Sequence, residues 1–152
     1  MSGHHNERQC LFSPDLELYF EDSEHSRKIE SLYTVGTPRP SEALRSALAD
    51  TTVVFVCFSN RSGSNLLLDI LERLGFGAAP GDEFFNDQTV QNFYDEFGFL
   101  SFEEYLAFIA DTRKKSSSLF LKIGPHQLFW LANRGLINAY FPNAKYLVTH
   151  RR

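Results

Sequence analysis

Val53-Val54-Phe55-Val56-Cys57-Phe58-Ser59-Asn60-Arg61-Ser62-Gly63-Ser64-Asn65-Leu66-Leu67 is the stretch on which the fold turns. Residues 53 to 58 are continuously apolar and β-branched or aromatic, the composition of a strand covered on both faces in a parallel sheet. Polar and small residues occupy 59 to 65. Then Leu67, Ile70, Leu71 and Leu74 recur at three- and four-residue spacing, with Asp69, Glu72 and Arg73 between them. That pattern predicts an amphipathic helix with those leucines and Ile70 on its apolar face, ended by Gly75.

Downstream, Gly77, Pro80 and Gly81 mark a loop, and Ser101-Phe102-Glu103-Glu104 is a capping-box pattern leading into Tyr105, Leu106 and Ile109. Ser116-Ser117-Ser118 reads as a turn, Leu119 to Ile123 as a strand, Gln127 to Asn133 as a helix broken at Gly135, and Ala144 to Thr149 as a third strand. The order strand, helix, helix, strand, helix, strand predicts an α/β fold: a P-loop-like parallel sheet flanked by helices and joined by right-handed crossovers. Upstream, residues 1 to 50 read as a poorly defined N-terminal extension ahead of a domain over 51–152. Asp15, Glu17, Glu21, Asp22 and Glu24 interleave with Leu16, Leu18, Tyr19 and Phe20 without a helical or strand period, which predicts loose packing or partial disorder up to about residue 40. Thr37-Pro38-Arg39-Pro40 punctuates its end, and Ser41 is a plausible N-cap for a short helix through Leu44, Leu48 and Ala49.

Bulk properties narrow the function classes. A chain of 152 residues holds one core; 43% hydrophobic and 22% charged residues are ordinary for a globular protein, and 15 Phe promise an aromatic interior. Net charge is −4, so the basic footprint of a nucleic-acid binder is missing. Val53–Phe58, the longest uninterrupted apolar run, is far short of the roughly 20 residues that span a bilayer. Residues 1–8 lack the apolar core of a signal peptide, and Cys10 and Cys57 make neither a disulfide framework nor a metal site. A cytoplasmic protein without metal fits best.

Residues 59 to 65 sit where an open α/β sheet binds ligands, beyond a strand's carboxyl end and at a helix start. Unpaired amides and the positive end of the helix dipole face an anion there. Gly63 lets the backbone approach without a Cβ, Ser62, Ser64 and Asn65 add short polar groups, and Arg61 adds a guanidinium fork. The loop suits phosphate or sulfate; read blandly, it is a polar turn with a good N-cap. It lacks the first glycine and the lysine of a nucleotide-kinase loop, and the glycine pattern of a dinucleotide fingerprint.

Phe58 to Leu67 after an apolar strand resembles the phosphosulfate-binding signature of sulfotransferases that use 3'-phosphoadenosine-5'-phosphosulfate (PAPS), and is most similar to the bacterial branch that includes trehalose 2-sulfotransferase. That branch carries Arg-Ser-Gly-Ser-Thr-Leu-Leu, and Asn65 stands in place of the Thr. Gly81-Asp82-Glu83-Phe84-Phe85 resembles its Pro-x-Glu-Phe-Phe segment, Phe120-Leu121-Lys122-Ile123 its Gly-Lys-Leu-Met strand, and Phe141 through Arg152 the strand ending in His-Arg that opens the 3'-phosphate site. The likeness spans residues 53 to 152.

The resemblance implies that Arg61, Ser62, Gly63, Ser64 and Asn65 hold the 5' phosphosulfate of PAPS, and that Arg151, with Arg152 as its neighbour, contacts the 3' phosphate. Glu83 takes the position of a general base on an acceptor hydroxyl, desolvated by Phe84 and Phe85; the other reading makes it a surface carboxylate, with Asp82 beside it equally available. The acceptor implied is a carbohydrate or small molecule, with no nucleic acid and no membrane among the partners, and a homodimer is allowed. The family's domain runs well past the third strand, so the resemblance also implies a chain truncated there, with an apolar sheet face exposed and weak donor binding. A non-catalytic nucleotide- or anion-binding α/β module is the alternative. Lys122, mid-strand among apolar residues, is expected at a sheet edge with its ammonium in water, an active-site contact being the other reading; His126 receives no role, and Trp130 with Phe129 is expected in the core.

Overall fold

A computed structural model describes residues 24–34, 36–59, 62–78 and 82–149. The calls on Asn60, Arg61, Gly81, Arg151 and Arg152, and on residues 1 to 23, lie outside these residues. Within them the chain is α/β, with seven helices and a three-stranded parallel sheet. In chain order these are α1 (Glu24–Leu32), α2 (Glu42–Leu48), β1 (Thr52–Phe58), α3 (Ser64–Arg73), α4 (Asp87–Phe97), α5 (Phe102–Arg113), β2 (Ser118–Ile123), α6 (Pro125–Asn133), α7 (Leu136–Tyr140) and β3 (Lys145–Thr149).

The strand order is β2-β1-β3, with β1 central. Both ladders are parallel: Val56 lies opposite Lys122 on one side and Leu147 on the other. Alternation then sorts the side chains. Val54, Val56 and Phe58 share a face with Phe120, Lys122 and Leu147, while Val53, Phe55 and Cys57 share the opposite face with Leu119, Leu121 and Ile123. On the first face Val56 is buried against Leu68 of α3 and Ala78, with Leu67, Leu71 and Phe120 packed around them. The second carries the main core, to which the other helices contribute Ile29, Leu44, Val90, Phe102, Trp130 and Leu136. Coverage on both faces is why β1 reads as an unbroken apolar run. Aromatic rings fill much of the core, and Phe93, Phe99, Tyr105 and Phe108 form a linked ring cluster that Phe97 extends to the surface.

Several boundaries differ from the sequence reading. α3 turns Leu68 inward, fully buried, while Ile70 and Leu74, expected on its apolar face, are exposed together with Leu66. The spacing is helical but the buried stripe is rotated, because a single helix over a narrow sheet covers only the residues directly beneath it. α4 was not expected; Asn86 caps it by accepting from the Gln88 N–H, and Gly98 closes it with left-handed backbone. Residues 24 to 48 were expected to pack loosely up to about residue 40, yet His25, Ile29 and Tyr33 lie one turn apart and buried. The predicted Ser41 cap is present, its Oγ accepting from the Leu44 N–H. On β3, Tyr146, Leu147 and Val148 are exposed. No helix among the described residues is long and apolar enough to cross a membrane, and no cluster there could hold a metal ion.

Candidate functional site

β1 ends at Phe58, and the chain turns over the carboxyl end of the sheet before α3 begins. Gly63 takes up left-handed backbone (φ 83°, ψ 13°) as the N-cap of α3, a conformation that favours glycine. Its carbonyl accepts the first intrahelical bond, from the Leu67 N–H at 3.1 Å. Gly63 offers no side chain to cap the α3 N-terminus. The donors there are those a helix start presents to an anion.

The loop is tied to the sheet by hydroxyls. Thr149 Oγ1 donates to the Cys57 carbonyl at 3.2 Å, so its single proton is used, and Ser62 Oγ–H donates to Thr149 Oγ1 at 2.7 Å. This relay joins the ends of β1 and β3 to the loop. Thr149→Val keeps the side-chain shape and deletes the relay; it is expected to lower stability by about 1 kcal/mol, read as a shift of the urea midpoint at unchanged slope.

A cavity of about 410 Å³ opens beside the loop, lined by Phe58, Ser59, Ser62, Gly63, Ser64, Asn65, Glu83 and Lys122. Five of the sequence-predicted site residues, Ser62, Gly63, Ser64, Asn65 and Glu83, are therefore brought together. The two adjacent carboxylates point to different places. Asp82 pairs outward with Arg113 at 3.4 Å, whereas Glu83 faces the cavity. Phe84 and Phe85, expected to desolvate it, are buried in the core, with Phe84 against Phe93 and Phe85 against Phe55. The neighbour of the Glu83 carboxylate is a cation: Lys122 Nζ donates to Glu83 Oε1 at 2.8 Å.

Lys122 corrects the expectation of a solvated edge lysine. β2 does lie at the edge of the described sheet, but the Lys122 side chain is only 7% exposed. The register sets it opposite Val56, on the α3 face, where its ammonium lies 4.4 Å from the centre of the Phe58 ring. Burying an ammonium is costly, and the carboxylate and the ring face offset that cost. The result is a fixed positive charge in the wall of a cavity whose other wall is a helix N-terminus. Trp130 is buried in the core as expected, its indole N–H donating to Glu30 Oε1 at 3.0 Å.

The fold and this cleft define a mixed α/β protein with a polar cavity beside the loop at the carboxyl end of β1. Compared with protein-family models, curated proteins and solved structures, the chain finds no match.

Proposed function

We propose that the cleft takes the phosphosulfate end of PAPS and that the protein is a sulfotransferase acting on a hydroxyl of a carbohydrate or small molecule. The observation that carries this reading is the Lys122–Glu83 pair at 2.8 Å in the wall of the cavity that Ser62, Gly63, Ser64 and Asn65 also line. An anion seat next to a carboxylate is what sulfuryl transfer needs. The α3 amides and the Lys122 ammonium hold negative oxygens, and the carboxylate lies within reach of a hydroxyl brought to the same space. The donor supplies an activated sulfuryl group. As the acceptor oxygen bonds to sulfur, the bridging S–O bond breaks toward the phosphate, and the hydroxyl proton passes to Glu83. The Lys122 contact engages Oε1, and in this reading Oε2 takes that proton. The sulfotransferase resemblance of residues 53 to 152 supports the same reading.

Calorimetric titration with 3',5'-adenosine bisphosphate and with ATP tests it. The bisphosphate is expected to bind more tightly than ATP, and the reverse order would remove PAPS from the proposal. In a sulfur-transfer assay over carbohydrate and small hydroxyl acceptors, Glu83→Gln is expected to lower turnover by about 10²- to 10⁴-fold, the usual worth of a positioned base. Bisphosphate binding without any transfer would leave a nucleotide-binding module.

A further inference from the structure

Glu83 is held by its neighbours' carbonyls, and the groups holding them come from far along the chain. Glu83-Phe84-Phe85-Asn86 forms a turn closed by the Asn86 N–H donating to the Glu83 carbonyl at 2.8 Å. Both peptide carbonyls in the middle of that turn are taken. Tyr105 Oη, on α5, donates to the Phe84 carbonyl at 2.6 Å. His25, on α1, meets the Phe85 carbonyl through Nε2 at 2.6 Å. A carbonyl only accepts, so Nε2 carries the proton and Nδ1 is bare. Among the described residues that buried Nδ1 has no hydrogen-bond partner. One turn on, Lys28 Nζ of α1 pairs with Asp87 Oδ2 of α4 at 3.0 Å.

We infer that His25 is a positioning residue for Glu83: through the Phe85 carbonyl, and with Tyr105 on the preceding one, it fixes the turn that holds the Glu83 carboxylate against Lys122. The inference rests on the reading of Glu83 as the base, and it gives α1 a task in the site. A backbone carbonyl needs only a donor, but the ring edge is also packed: His126 lies 5.0 Å and Trp130 5.9 Å from it, each edge-on. The latch is acid-sensitive. Protonation would place a charge on an Nδ1 with no acceptor; burial opposes it most, His126 of α6 and Lys28 of α1 add to the opposition, and the Phe85 carbonyl and Asp87 of α4 favour it. Together they leave His25 below its ordinary value of 6.5. The folded state therefore resists a proton that the unfolded chain accepts, so this contribution to stability is complete above about pH 6.5 and declines as pH falls toward the lowered folded value.

The test uses the whole chain and signals that need no donor. Nitrogen NMR is expected to show His25 as the Nε2–H tautomer near neutral pH, with a slowly exchanging Lys122 ammonium. His25→Phe is expected to lose the ammonium signal and to speed exchange of the Asn86 amide by about tenfold or more, the size of one lost hydrogen bond to a buried group. His25→Gln, which retains a donor, is expected to restore both and to flatten the acid decline of stability. An Nδ1–H tautomer, or His25→Phe with the Asn86 amide and Lys122 ammonium unchanged, overturns the inference. Because none of these signals involves the adenosine bisphosphate titration, its failure in the native chain counts against the sulfotransferase reading and leaves the latch standing.

Discussion

Gly77→Ala is expected to lose at least about 3 kcal/mol of stability, seen as a large drop in the urea midpoint or as failure to fold. A Cβ at Gly77 would lie 2.2 Å from the Ser118 carbonyl oxygen and 2.6 Å from both the Arg113 oxygen and the Lys115 nitrogen. All three are backbone, so no side-chain rotation relieves the clash. The segment is also pinned where it is: Gly77 donates its N–H to Ser118 Oγ at 3.3 Å, and its carbonyl accepts from the Phe120 N–H at 2.6 Å. That second bond covers the outer edge of β2, the strand that carries Lys122, so displacing residue 77 disturbs the site as well as the fold. Gly36→Ala is the control. Nothing lies within 4 Å of its added Cβ, and its stability is expected to stay within about 0.5 kcal/mol of the native chain. A Gly77→Ala protein as stable as that control would mean the segment does not press on β2.

Gly77 shows where reading the sequence runs out. The residue is visible as part of a loop; that it threads between the end of α5 and the start of β2 is a property of the packed chain. The strands were legible because each is short, apolar and β-branched or aromatic, and β1 is buried on both faces. The helix caps at Ser41 and Ser101 were legible because capping is local chemistry. α4 carries a local signal of its own: Asn86 before it, Val90, Phe93, Tyr94 and Phe97 at helical spacing, and Gly98 after it. α1 was harder. Two of its buried positions are His25 and Ser26, and polar residues facing the core hide an apolar stripe. In the site, the loop from Ser62 to Asn65 is legible from residue type and its place after a strand, whereas Glu83 stands out only through the family resemblance; both line the same cavity. The burial of Lys122 is not legible, because a lysine among apolar neighbours has no partner within its own segment; its partner lies 39 residues back. Long-range pairs of this kind depend on strand register, which no local pattern discloses.

Lys122→Met is expected to weaken 3',5'-adenosine bisphosphate binding by about tenfold or more, which corresponds to at least about 1.4 kcal/mol. The variant keeps the stem that packs beside Phe58 and removes only the charge. Glu83→Gln should move affinity the other way or leave it unchanged, because it deletes a negative charge beside the anion seat. Opposite signs separate an electrostatic role in binding from general damage, since a variant that merely loosens the cleft weakens binding in both cases. Stability offers an independent check. Removing one partner of a well-buried pair costs about 3–5 kcal/mol. Glu83, at 28% exposed, can recover part of its hydration, so the loss for Lys122→Met is expected nearer 2 kcal/mol. The double variant Lys122→Met with Glu83→Gln should then lose less than the sum of the two single changes, with a coupling of about 1–2 kcal/mol. Additive losses would show that the ammonium and the carboxylate do not share their burial. Equal weakening of bisphosphate binding by the two single variants would take Lys122 out of the anion seat.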